Sequence, residues 1–223
     1  MEMMATESRP GGLIAFAREA ATLILRREMI VPALLLALIL TTSNILILLS
    51  GPPVRGAMPH WQFIAAALLR LVGVLVLLVA ILRIATGSER PRWRPDGAFW
   101  LYALALLATL GVSALMGRVL ADRTQWSGML IDQVATSILV APFAAWVAAM
   151  AVATPLAWRP LRWLRGLGQW LPHYLVSSLL LVTPLGLAHG LIDLRLVMGA
   201  GESFWPLALF DGPLSTLLAL VGL

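Results

Sequence analysis

Cysteine and lysine are both missing from this chain of 223 residues, and charge of either sign is scarce. Without cysteine there are no disulfides, no thiolate metal sites and no cysteine nucleophiles. All sixteen basic residues are arginines, set against eleven carboxylates, and charged residues make up 12% of the chain. Soluble domains usually carry about 25%. With 60% of its residues hydrophobic and a mean hydropathy of +0.90, the chain cannot cover its apolar surface in water, so lipid must be the solvent for much of it. A sequence pI near 11.2 would fit nucleic acid only if the arginines formed a continuous basic face. They stand instead in short clusters between apolar runs, and no nucleic-acid partner is expected.

Catalytic signatures are also lacking. There is no His-Glu-x-x-His, no Gly-x-Ser-x-Gly and no phosphate-binding glycine loop. Only three histidines occur. His173 and His189 lie sixteen residues apart, roughly 24 Å along a helix, so they cannot share one ion. Two haems would need two partner histidines, and only His60 remains. No cofactor and no resident metal is expected, and no catalytic residue is assigned.

What is present is a series of apolar runs. A helix crossing about 30 Å of hydrocarbon needs roughly 20 mainly apolar residues. Residues 30–50, 63–85, 98–117, 130–154 and 170–192 qualify, and a sixth run over 205–223 is interrupted by Asp211-Gly212-Pro213. The sequence therefore predicts an all-α, polytopic transmembrane bundle of about six spans over residues 29–223. It is preceded by a tail and interfacial segment over 1–28. The sixth run ends without a basic flank, and the native chain is expected to continue past Leu223. The start is acidic and polar and lacks the order of a cleavable signal peptide.

Arginine placement predicts orientation, because loops beside the spans retain positive charge on the cytoplasmic side. Arg9, Arg18, Arg26, Arg27, Arg83, Arg90, Arg92, Arg94, Arg159, Arg162 and Arg165 fall on one side. Arg55, Arg118, Arg123 and Arg195 fall on the other. This bias places the amino terminus in the cytoplasm of a bacterial inner membrane. Trp61, Trp93, Trp100, Trp126, Trp158, Trp163, Trp170 and Trp205 mark span ends, as rings that favour the headgroup level should. In residues 13–27, Leu13, Phe16, Ala17, Ala20 and Ile24 share one helical face and Arg18, Glu19, Thr22 and Arg26 the other, as in an interfacial amphipathic helix. Two loops also echo each other, Arg90-Pro91-Arg92-Trp93-Arg94 and Arg159-Pro160-Leu161-Arg162-Trp163.

Ionisable groups inside a membrane are costly and mark candidate sites. Arg70 stands eight residues into the second run and Asp211 seven into the sixth, both roughly 10 Å below the same surface. An Arg70–Asp211 ion pair is expected, with Asp132 as the alternative partner. Thr41, Thr42, Ser43 and Asn44 form a polar patch within the first span, suited to interhelical hydrogen bonds or to lining a cavity. His60, Asp132, His189 and Asp193 can approach the face opposite the arginine clusters. His189 and Asp193 share a helix face there, a conceivable metal or acid–base pair. Gly186 and Gly190, with Ala141, Ala145, Ala149 and Ala153, form small-residue stripes that let helices approach. Pro142 and Pro184 should bend their spans.

The segment Leu25-Arg26-Arg27 before Pro32, the stretch Trp158-Arg159-Pro160-Leu161-Arg162-Trp163 and the triplet Gly212-Pro213-Leu214 give the chain a further likeness. Its layout resembles the bacterial membrane-domain family that includes the membrane portion of glycerophosphoryl diester phosphodiesterases and related six-span proteins. The likeness implies the architecture only, since no soluble phosphodiesterase domain is present here. On function, the sequence favours a non-catalytic subunit or accessory factor that packs against lipids and other membrane proteins. The alternatives are a small transporter component using Arg70, Asp211 and the polar patch, and an enzyme with a site near His60, Asp132, His189 and Asp193.

Overall fold

In a computed structural model, the described residues are chiefly 25–50, 60–120, 178–198 and 204–221, with isolated positions elsewhere, such as Ala151 and His173. All regular structure among them is helical. The principal elements are α1 (Arg27–Ser50), α2 (Trp61–Ala85), α3 (Gly97–Leu120), α4 (Thr183–Met198) and α5 (Trp205–Val221). A single π-helical turn, Ser178–Val182, leads directly into α4.

Three helical stretches are long and apolar enough to cross a membrane: Arg27–Ser50, Trp61–Ala85 and Ser178–Leu196. Gly97–Ala108 and Trp205–Val221 are shorter apolar helices. Most of the run at 130–154, most of the first part of the run at 170–192 and most of the segment 13–27 lie outside the described residues. So do Asp132, Pro142 and the alanines Ala141, Ala145 and Ala149.

Two boundaries differ from expectation. Asp211-Gly212-Pro213 does not interrupt the last helix, which runs unbroken from Trp205 to Val221. Pro213 lies inside this helix, which gives up one backbone bond there and accommodates the ring without a break. Gly212 lies within the helix where its missing side chain makes room for a neighbour. The fifth run also continues beyond residue 192, so Arg195 stands on α4 rather than in a loop, and Asp193 lies within the same helix. His189 and Asp193, four residues apart, therefore do share a helical face.

The π turn has a local cause. The ring of Pro184 would crowd the carbonyl of Leu180 four residues back, and a widened turn relieves such a clash. The Thr183 hydroxyl donates to the carbonyl of Ser178, five residues back, across that turn (3.3 Å).

α1 packs chiefly against α2 and α5, and α4 packs against α5. Small residues set the two close approaches. A Cβ on Gly73 of α2 would lie 2.6 Å from Ile39 Cγ2 of α1. A Cβ on Gly212 of α5 would lie 1.9 Å from Thr41 Oγ1 and 2.7 Å from the Ala37 carbonyl oxygen. Apolar side chains fill both ends of the assembly. Met29, Leu36, Leu40, Leu77, Ile81 and Ile84 pack together toward the end that carries Arg83. Leu48, Leu196 and Ala208 do so toward the other. The outward faces remain apolar, with Leu34, Leu38, Trp100, Leu104, Leu180 and Phe210 exposed.

α2 ends in a tight cap. Gly87 adopts φ 61°, the Gly87 N–H donates to the Ile84 carbonyl and the Ser88 N–H to the Arg83 carbonyl. This paired pattern closes a helix around a left-handed residue, which glycine adopts without strain.

Candidate functional site

Between the two apolar layers, polar side chains from four helices meet. α1 contributes Ser43 and Asn44, α2 Arg70, α4 His189 and Asp193, and α5 Asp211 and Ser215. On α5 the spacing explains the convergence, because Ala208, Asp211, Gly212 and Ser215 follow the three-four rhythm of one helical face. Gly212 brings that face against α1, so Asp211 reaches Asn44.

Asp211 is fully buried and well partnered. Its Oδ2 accepts from Asn44 Nδ2 at 2.8 Å and from the Ser215 hydroxyl at 3.2 Å. Its Oδ1 lies 2.7 Å from His189 Nδ1. The Arg70 guanidinium stands 4.0 Å from the same carboxylate and 3.6 Å from Asp193 Oδ2. Arg70 also donates through Nε to Ser43 Oγ at 3.0 Å and through an Nη to Asn44 Oδ1. Asn44 thus accepts from the cation with one end and donates to the anion with the other, which fixes its amide orientation.

These partners also assign the imidazole. A carboxylate that already accepts from Asn44 and Ser215 is acceptor-only, so the hydrogen between it and His189 sits on Nδ1. His189 Nε2 then faces Asp193 Oδ2 at 3.5 Å. The centre is not sealed, since the His189 and Asp193 side chains are 25% and 33% exposed. Arg70 offsets one of the two carboxylates, Asp193 and Asp211, and a second positive charge, a proton on His189 or another cation, balances the other. Donor atoms of His189, Asp193 and Asp211 all lie within 4.8 Å of one another, close enough to hold one metal ion.

The structure thus brings together Arg70, Asp211, Asp193, His189, Ser43 and Asn44, which in the sequence fall into three separate groups. The polar patch divides. Ser43 and Asn44 enter the centre, Thr41 lies against Gly212, and Thr42 is exposed and donates to the Leu38 carbonyl of its own helix. His60 stands at the start of α2 beside Trp61, with ring centroids 6.3 Å apart. Asp132 lies outside the described residues. Ser215 is an addition that the sequence pattern did not single out; its signal is the four-residue spacing from Asp211.

A second ionic cluster, equally unforeseen from the sequence, lies at the far end of α2. Arg83 is buried, and its Nη2 meets Asp96 Oδ1 at 2.6 Å. Its other bonds go to the backbone carbonyls of Pro91, Arg94 and Ala151, at 2.7, 3.0 and 3.3 Å. Asp96 in turn caps α3 by accepting from the Phe99 N–H at 3.0 Å, and pairs with Arg90 at 2.8 Å. Burial alone would raise the Asp96 carboxyl. The Phe99 N–H and the guanidiniums of Arg90 and Arg83 outweigh it and bring the pKa down to about 2.

No family model, no curated protein and no solved structure matches the chain. The layout likeness to the phosphodiesterase membrane domains therefore carries no functional weight.

Proposed function

We propose that the chain is a bacterial inner-membrane protein of about six spans, with its amino terminus in the cytoplasm, and that it serves as a transporter component with an intramembrane cation-binding centre. Three long apolar helices and the one-sided arginine distribution support the membrane part of this reading. The observation that carries the rest is the convergence of Arg70, His189, Asp193 and Asp211 between apolar helices, where two carboxylates meet one fixed cation and one titratable imidazole. A bundle held together only by packing has no need of two carboxylates, a guanidinium and an imidazole at one depth, since such groups are costly away from water. Partial exposure of His189 and Asp193 supplies an entry, and a bound cation can balance the second carboxylate in place of a proton on His189.

A charge-displacement measurement tests this for any cargo. Protein reconstituted on a solid-supported membrane is subjected to jumps in cation concentration, with protons, Na⁺ and Zn²⁺ in turn. A charge displacement for at least one cation is expected, and Asp211→Asn and Asp193→Asn should each abolish it. A correctly folded wild-type protein that displaces no charge for any of them would reject the reading.

One observation favours a second reading, the non-catalytic accessory subunit. Arg70, Asn44 and Asp211 are mutually bonded, and Gly212 seats α5 tightly on α1, as a purely structural lock would require. In that case the same substitutions lower stability and release partner proteins or lipids that co-purify in mild detergent, with no electrical signal in any variant.

A further inference from the structure

The geometry points to the cation: we infer that His189 Nε2 and Asp193 Oδ2 form the ligand edge for an exchangeable divalent transition-metal ion, with Asp211 as the carboxylate that orients the histidine. This rests on the cation-centre reading and names the ion class for it.

His189 and Asp193 face each other through a ring nitrogen and a carboxylate oxygen. Asp211 holds the hydrogen on Nδ1, so Nε2 is the ring's remaining position for a proton or a metal ion. The atom it faces, Asp193 Oδ2, is an acceptor 3.5 Å away. The position between them suits a cation, either a proton on Nε2 or a metal ion that takes its place. Zinc bonds to imidazole and carboxylate at about 2.0–2.1 Å, and two ligands on a tetrahedral ion at that distance are about 3.4 Å apart. The separation already present is that of a ligand pair.

The surroundings follow the same logic. Metal-bound histidines commonly donate their other N–H to a carboxylate, which fixes tautomer and ring orientation. Asp211 does this at 2.7 Å, and Ser215 steadies Asp211 from the same helix. The four-residue spacing of His189 and Asp193 places both ligands on one helical face, as in helical zinc motifs. Two protein ligands leave the other coordination positions to water, an arrangement suited to an exchangeable cargo rather than a resident structural ion. Imidazole with carboxylate also favours transition metals over Mg²⁺ or Ca²⁺, which prefer all-oxygen sites. Arg70 opposes the ion electrostatically, but Ser43 and Asn44 restrain it and its charge offsets one of the two carboxylates. It therefore weakens the site without closing it.

The test uses Co²⁺ alone as a spectroscopic probe, titrated into tag-free full-length protein in detergent, with Zn²⁺ competition. Saturable binding at a single site with a tetrahedral ligand-field spectrum is expected. His189→Gln and Asp193→Asn should each remove it, while Asp211→Asn should weaken it by about 10- to 100-fold. Arg70→Gln should bind more tightly than wild type, an outcome that misfolding could not produce. Absence of saturable binding, or equal binding by wild type and His189→Gln, overturns the inference. Charge displacement with protons or Na⁺ but no Co²⁺ binding removes this inference and keeps the cation centre. Co²⁺ binding without charge displacement supports the metal site and rejects transport.

Discussion

Arg70 and Arg83 lie on one helix, thirteen residues and roughly 20 Å apart, yet they are held in opposite ways. Arg83 is satisfied largely by backbone carbonyls and by the capping carboxylate Asp96, groups with no freedom to rearrange. Arg70 is surrounded by side chains from three other helices, each with rotamers of its own. The charge balance also differs. Arg83, Arg90 and Asp96 leave one positive charge, whereas Arg70 shares Asp193 and Asp211 with a titratable imidazole, His189. A buried arginine fastened to backbone is a clamp. One fastened to side chains, beside two carboxylates and an imidazole, leaves room for a further cation.

The contrast breaks most readily at the clamp. Arg83→Met should destabilise the protein by about 2–4 kcal/mol, because it strips the half-buried Asp96 carboxylate and three carbonyls of a donor. Thermal unfolding in detergent measures this. Arg70→Met should cost less, about 1–3 kcal/mol, since Asp193 reaches solvent and Asp211 keeps donors from Asn44, His189 and Ser215. Equal losses would erase the distinction.

Gly212→Ala tests whether close helix approach underlies the polar centre. Its new methyl group meets two backbone atoms of α1, the Ala37 carbonyl oxygen and the Thr41 nitrogen, at 2.7 and 2.8 Å. A cost of about 1–3 kcal/mol is expected, and Thr41→Ala should not rescue it. Full rescue would mean that only the Thr41 hydroxyl stands in the way.

Acid sharpens the same contrast. The Asp96 carboxyl is held at about 2 against an ordinary value of 3.8. A depressed carboxyl stabilises the fold fully above its unfolded value and loses that contribution as pH falls through the folded one. Unfolding profiles should therefore show this contribution constant from neutral pH to about pH 4 and lost toward pH 2, with that loss missing in Asp96→Asn. The smallest effect belongs to Thr42→Val, within about 0.5 kcal/mol, because its exposed hydroxyl bonds only to its own helix.

The helices are legible in the sequence wherever apolar length decides the matter, as in α1 and α2. The Arg70–Asp211 juxtaposition is legible through depth alone, since both lie a similar distance into runs entering from one side. Asp193 is half legible. Its four-residue spacing puts it on the His189 face, but its approach to Arg70 depends on how the helices pack, which spacing does not show. Arg83 is hidden by the same rule that locates the termini, because a terminal arginine ordinarily faces headgroups and water. Only the chain reversal through Gly87, with Asp96 returning as a helix cap, buries it. Gly212 reads as a helix interruption, whereas its lack of a side chain serves the packing of α1.

The bond between Asp211 and His189 offers the most direct test, because every part of the centre depends on it. A His60→Gln, His173→Gln variant leaves His189 as the only histidine, and its ¹⁵N-labelled ring can be observed in lipid nanodiscs. The expected spectrum shows Nδ1 protonated and strongly hydrogen-bonded, with that signature lost on Asp211→Asn and retained on Asp193→Asn. An imidazole whose signals are indifferent to Asp211→Asn would contradict the account.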